Sequence, residues 1–150
     1  MEVYRICLKK WSTKLTTSGF PARWNSKGKF VLYTASSRAL ACLENVVHRS
    51  GEGLNGSFKV MVIKIPNEVA ITEVEEGQLP MNWIDFAAYS ECQKIGDQWV
   101  NDNKTLLLKV PSAIIQKEHN YLLNINHPQM SEVKILGTED FQFDSRIKGN

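Results

Sequence analysis

Four side chains combine useful chemistry with suggestive placement: Arg23, Tyr33, Glu44 and Ser112. Arg23 opens the polar run ARWNSKG, residues 22–28, where Asn25, Ser26 and Lys27 follow it closely. A guanidinium among such neighbours is equipped to hold a pyrophosphate through charge-assisted bonds. Tyr33 stands near the end of an apolar stretch, FVLYTA, and offers both a ring for stacking and a hydroxyl for a polar contact. Glu44 falls within SRALACLENVVH, beside its apolar residues. Ser112 follows Pro111, which interrupts strand pairing, so its hydroxyl can point into an open site. Each also has a plain structural reading. Arg23 can be a surface arginine, Trp24 a cover for the core's edge, Tyr33 a core-edge tyrosine, and Glu44 a snorkelling or surface-paired carboxylate.

Several chemistries are excluded by motif. Neither GxGxxG nor GxxxxGK[ST] occurs, so a nucleotide, if bound, is held by neither a Rossmann nor a P-loop arrangement. No GxSxG elbow surrounds Ser112, which favours a positioning hydroxyl over a nucleophile. His48, His119 and His127 are scattered, and no CxxC or HxxxH pair exists, which argues against a structural zinc site. Cys7, Cys42 and Cys92 are odd in number and far apart, as expected of reduced thiols in a cytoplasmic protein. The sequons at Asn55 and Asn103 carry no meaning in that compartment.

Elements must position these residues, and 150 residues suffice for one domain, 1–150, that buries roughly 70% of its unfolded surface. The chain is 43% hydrophobic and 23% charged, an ordinary globular balance. A formal charge of +2, with basic and acidic residues interspersed, provides no stripe for direct nucleic-acid binding. The start MEVYRICLKKW lacks a signal-peptide h-region, and no apolar run of about 18 residues could span a membrane.

Patterning predicts strands over 3–8 and 30–35, then a helix over 37–48 capped by Ser36 or Ser37. Residues 51–56, GEGLNG, read as a loop, and 57–66 as a strand with apolar residues on both faces, hence central. A shorter strand is expected at 69–75 and a second helix over 85–100, its last turn weakened by Gly96. The strand over 105–115 lies at an edge or bends at Pro111. EVKIL and FQFDSRI close the chain. The expected class is α+β, a central mixed, mainly antiparallel sheet with flanking helices. On the first helix, Ala39, Leu40, Leu43, Val46 and Val47 form an apolar stripe. Glu44 lies at its shoulder, and Arg38 and Asn45 face solvent.

Three stretches taken together resemble one family. ARWNSKGKFVLYTASSRALACLENVVH, LLLKVPSAIIQKEHNYLLNINHP and FQFDSRI occur in the order and spacing of the RES-domain toxins. The resemblance runs from YRI at 4–6 to FDSRI at 143–147. The family's arginine, glutamate and serine fall on Arg23, Glu44 and Ser112, and its site tyrosine falls on Tyr33. Departures are mild: Cys42 and Asn45 replace common aliphatic residues, and Ile125 stands where proline is frequent.

The resemblance implies an ADP-ribosyltransferase-like fold and a toxin that consumes NAD as a substrate, not as a recycled cofactor. It implies cleavage of the nicotinamide–ribose bond with water, phosphate or a protein as acceptor. Arg23 would clamp the pyrophosphate, Tyr33 stack on nicotinamide or ribose, Glu44 stabilise charge at the anomeric carbon, and Ser112 orient the ribose or Glu44. It further implies an Xre-type, DNA-binding antitoxin covering the site entrance, and allows a homodimer within that complex. Two rival readings stay open, protein ADP-ribosylation and a non-catalytic binding module. The first usually calls for a carboxylate or polar residue two positions before the glutamate, where Cys42 stands.

Overall fold

The computed structural model describes residues 1–48 and 57–147, so the expected loop at 51–56 lies outside the described residues. Seven strands form one sheet: β1 (Glu2–Leu8), β2 (Val31–Ala35), β3 (Phe58–Lys64), β4 (Ile71–Glu73), β5 (Leu107–Pro111), β6 (His119–Asn124) and β7 (Lys134–Phe141). Their order is β4-β5-β6-β2-β1-β3-β7. The short edge strand β4 runs parallel to β5, and the remaining pairs are antiparallel. The fold is α+β, with α1 (Arg38–His48) and α2 (Tyr89–Asp102) as its α-helices among the described residues. Neither is long and apolar enough to cross a membrane.

Strand alternation sends successive side chains to opposite faces. On one face, Leu40 and Ala41 of α1 pack over Ile6, Ala35, Val60 and Phe143. On the same face, Cys92 and Trp99 of α2 pack with Trp24, Trp83, Leu108 and Leu122. The opposite face carries Val3, Cys7, Leu32, Met61, Ile63, Leu107 and Leu123, covered by Leu15, Ile125 and Met130 from connecting segments. One discontinuity interrupts the sheet. β1 and β2 meet through a single register pair, Tyr4 with Ala35. By contrast, β1 and β3 pair along their length from Glu2–Lys64 to Leu8–Phe58.

The details correct several expectations. Ser37 is the cap of α1, its hydroxyl accepting from the Leu40 amide at 3.1 Å. A strand that the pattern did not reveal, β6, fills the gap between β5 and β2. β5 is therefore interior, and Pro111 ends it at a bend; no sheet partner needs the missing N–H there. The second helix begins later than expected, after a 3-10 turn at Phe86–Ala88, and runs on to Asp102. Gly96 is mid-helix and does not loosen the end. A Cβ there would overlap the Trp24 carbonyl oxygen and stand 2.8 Å from its carbon, so glycine permits the close approach of α2 to the 22–25 loop.

Candidate active site

A cavity of about 320 Å³ opens where β1 and β2 part. Its walls are β1 (Tyr4, Arg5, Ile6), β2 (Tyr33, Thr34, Ala35), the Ala22–Trp24 loop, α1, the Pro111 bend and Asn120 of β6. Because the two strands separate, side chains from both faces of the sheet reach the same space.

Glu44 faces this cavity from α1. Its Oε1 accepts from Ser112 Oγ at 3.1 Å and from Asn120 Nδ2 at 2.5 Å. Its Oε2 lies 3.2 Å from His48 Nε2, one helical turn onward. Burial pushes the carboxyl pKa up, but the bonds from His48, Asn120 and Ser112, with the His48 charge, outweigh it and hold the group below its ordinary value. Glu44 is thus kept ionised in a half-buried place. A depressed carboxylate stabilises the fold above its unfolded pKa, near 4.3, and that contribution is lost as pH falls through the lower folded value. Acid melts should therefore show the parent losing stability relative to Glu44→Gln between about pH 5 and pH 3. Parallel curves for the two proteins would show that Glu44 is not selectively stabilised.

The helix is rotated from its expected setting. Leu43 and Val47 are 37% and 58% exposed, whereas Leu40 and Ala41 are buried. Glu44 lies about 40° from Leu40 and 60° from Ala41 around the helix, so it occupies the middle of the inward face and not its shoulder. Asn45 also turns inward, its amide donating to the Ile6 carbonyl at 3.0 Å, where β1 has lost its β2 partner. Satisfying buried polar groups along the seam outweighs burial of two aliphatic side chains. Cys42 points away, since a residue two before Glu44 lies about 200° round the helix, and it packs instead at the edge of the α1 core cluster.

The polar loop is built differently from its sequence reading. Arg23 lines the cavity, but its Nη1 donates to the Trp83 carbonyl and its Nη2 to the Ile84 carbonyl at 2.7 Å. Its guanidinium also lies over the Tyr89 ring, 4.4 Å from the centroid. Asn25, Ser26 and Lys27 do not line the cavity. Asn25 is buried, and its Nδ2 donates to the carbonyls of Phe20, Ser26 and Lys29. The Ser26 amide donates to Asp97 of α2 at 2.9 Å. Tyr33 presents its ring to the cavity while its hydroxyl donates to Asn25 Oδ1 at 2.7 Å and accepts from the Trp24 amide at 3.1 Å. Burial pushes its pKa far above the usual tyrosine value, so it remains neutral. Ser112 is buried, and its hydroxyl also accepts from the amides of Ile114 and Ile115, fixing the bend.

Three lining residues escaped the sequence reading. Arg5 donates to the Thr16 carbonyl at 3.0 Å, and its lowered pKa is caused chiefly by burial. A half-buried guanidinium with no carboxylate bonded to it among the described residues is a ready anion site. His48 was findable from its i+4 spacing to Glu44. Asn120 was hidden because its strand was not recognised.

A half-buried carboxylate shares this cavity, at the seam of a parted sheet, with guanidiniums and aromatic rings, groups chemically able to hold an anion and hydroxyl groups. The chain belongs to the RES domain family, whose model matches residues 2–144. It is 40% identical to a Sphingobium protein named Prs ADP-ribosylating toxin, over 83% of this chain and 79% of that one. It is 33% identical to a Yersinia enterocolitica protein named Toxin Res, over 99% and 100% of the two chains. Among solved structures, a chain in the Mycobacterium tuberculosis MbcT–MbcA toxin–antitoxin complex superposes with a TM-score of 0.76. That match covers 94% of this chain and 84% of that one at 17% identity, and is a likeness of fold.

Proposed function

We propose that this protein is the toxin of a toxin–antitoxin pair, an enzyme of ADP-ribosyltransferase-like fold that depletes NAD by breaking its nicotinamide–ribose bond. The observation that carries the reading is Glu44, a carboxylate kept ionised by three donors inside the cleft. Such a group stabilises positive charge developing at the anomeric carbon as the bond to nicotinamide lengthens. The bonding pair leaves with the ring nitrogen, neutralising the pyridinium. Water or phosphate then forms the new bond to the ribose carbon, and with water one proton is released. Arg5 and Arg23 provide positive charge for the pyrophosphate, Tyr33 a ring for nicotinamide or ribose, and Ser112 the anchor of Glu44. Names of the relatives support the toxin assignment.

Purified protein mixed with NAD should release nicotinamide, and added phosphate should separate phosphorolysis from hydrolysis. NAD left intact by folded protein would sink the reading. Arg23→Lys keeps the charge but loses the planar fork that grips two carbonyls. Apparent NAD affinity should weaken about tenfold, the worth of roughly one charge-assisted bond. Unchanged kinetic constants would reduce Arg23 to a loop fastener with no bearing on the substrate.

A second reading, transfer of ADP-ribose to a protein, is favoured by the name of the 40%-identical relative. Cys42 faces away from the cleft, so the position two before Glu44 carries no weight for or against it. Labelled NAD incubated with cell extract distinguishes the two, since transfer leaves label on a protein and hydrolysis leaves it on free ADP-ribose.

The silencing partner is an Xre-type, DNA-binding antitoxin that seats across the cleft mouth in the cytoplasm, where NAD is consumed. Exposed Met81, Ile84 and Phe86 adjoin the Arg23 anchor and suit an apolar contact there. An inhibited complex that still bound NAD as tightly as the free protein would rule out occlusion.

A further inference from the structure

Asn120 sits on β6 opposite Ala35 of β2 and Val110 of β5. Its Nδ2 donates to Glu44 Oε1, while its Oδ1 is buried and has no hydrogen-bond partner among the described residues. The amide cannot relieve this by flipping. An ionised carboxylate only accepts, so a flipped amide would set two acceptors face to face. The orphaned oxygen carries the full desolvation cost of an unmet acceptor.

Two nearby asparagines show how a structural amide is treated in this fold. Asn25 donates to three carbonyls and accepts from Tyr33. Asn124, on the same strand as Asn120, donates to Asn103 Oδ1 and accepts from the Asn126 amide. Both satisfy both halves of the amide. Asn120 satisfies only the half that touches Glu44.

We infer that Asn120 is a positioning residue for Glu44, kept at a cost to stability so that its amide and the Ser112 hydroxyl together pin Oε1. Oε2, whose partner is the half-exposed His48, is then the oxygen a substrate can reach. The inference rests on the reading that Glu44 acts on the ribose. Other charged and titratable groups lining the cleft are Arg5 and Tyr4 from β1, Tyr33 from β2, Arg23 from the loop and His48 from α1. All are retained in Asn120 variants, so a difference from the parent isolates the amide.

The test uses Asn120→Ala and the near-isosteric Asn120→Leu, with NAD turnover, thermal melting and a carbon-13 NMR titration of the Glu44 carboxyl. The expected kcat is about 10–100-fold lower, the kinetic equivalent of one charge-assisted bond, with KM changed less than about twofold. The melting temperature should change little, because loss of the bond to Glu44 and removal of the orphaned oxygen oppose each other. The Glu44 titration midpoint should rise, since a donor to the ionised form is gone. An unmoved Glu44 midpoint, or intact kcat with a lower melting temperature, would assign the amide to the fold and overturn the inference. Glu44→Gln is the control. If it is inactive while Asn120→Ala equals the parent, only the role of Asn120 falls. If it is fully active, the ribose reading falls, and the NMR titration still decides whether Asn120 sets the ionisation of Glu44.

Discussion

Glu44→Gln is expected to lower NAD turnover about 10²–10³-fold, the usual cost of removing one preorganised electrostatic group, with the fold intact. Glutamine has nearly the same shape, and its carbonyl oxygen can still accept from Ser112 and Asn120 as Oε1 does now. Its amide nitrogen then meets His48, which accepts a hydrogen bond when neutral. The variant removes the negative charge and little else. Circular dichroism should match the parent and melting at neutral pH should fall only modestly, by the stability the ionised carboxylate contributes, while nicotinamide release under single-turnover conditions collapses. Growth arrest on expression should disappear in parallel. Full activity in a folded Glu44→Gln protein would exclude the carboxylate from the chemistry.

Gly96→Ala should destabilise the protein by about 2–4 kcal/mol, at the upper end of overpacking costs. Helix propensity alone predicts the opposite, a gain of roughly 1 kcal/mol for alanine in a helix interior. The new Cβ would overlap the Trp24 carbonyl, a backbone atom that no rotamer change can move. Either α2 retreats or the loop carrying Arg23 and Trp24 is displaced, and the Ser26–Asp97 and Gln93–Ala22 bonds resist both. The melting temperature should fall by roughly 5–15 °C for a chain of this size. NAD affinity should suffer in the molecules that remain folded. A raised midpoint in chemical denaturation would mean that the approach is loose enough to relax at no cost.

Much of this architecture was legible because single-element signals were strong. Apolar stretches announced β1 and β2, and Ser37 capped the helix where a serine was expected. The spacing from Arg23 through Tyr33 to Glu44 brought loop, strand and helix to one cavity, and Ser112 reached Glu44 from the bend after Pro111.

What stayed hidden depended on partners far along the chain. β6 reads poorly because HNYLLN opens with polar residues, yet those residues reach the seam and only the later leucines enter the core. The rotation of α1 could not come from its apolar pattern, because it is set by donors on β6 and after β5 and by the Ile6 carbonyl, which accepts from Asn45. Arg5 looked like a strand residue until β2 departed from beside it. Gly96 looked like a weak point in a helix until Trp24 was found against it.

The single pair joining β1 to β2 makes the sheet two blocks, β4-β5-β6-β2 and β1-β3-β7, with α1 as the brace across them. The brace is fastened to the first block through Glu44 on Asn120, and to the second through Asn45 on Ile6 and Arg38 on Glu139. The calibre of the cleft is therefore set by side-chain fastenings, these and the Ser112 bond to Glu44 among them, and not by a strand ladder, so it can widen without unzipping any length of sheet. A molecule lodged in the seam and touching both blocks becomes a second brace. Its arrival should stiffen the whole sheet at once, so amide protons as remote as those of β5 and β3 are expected to exchange more slowly when the cleft is filled.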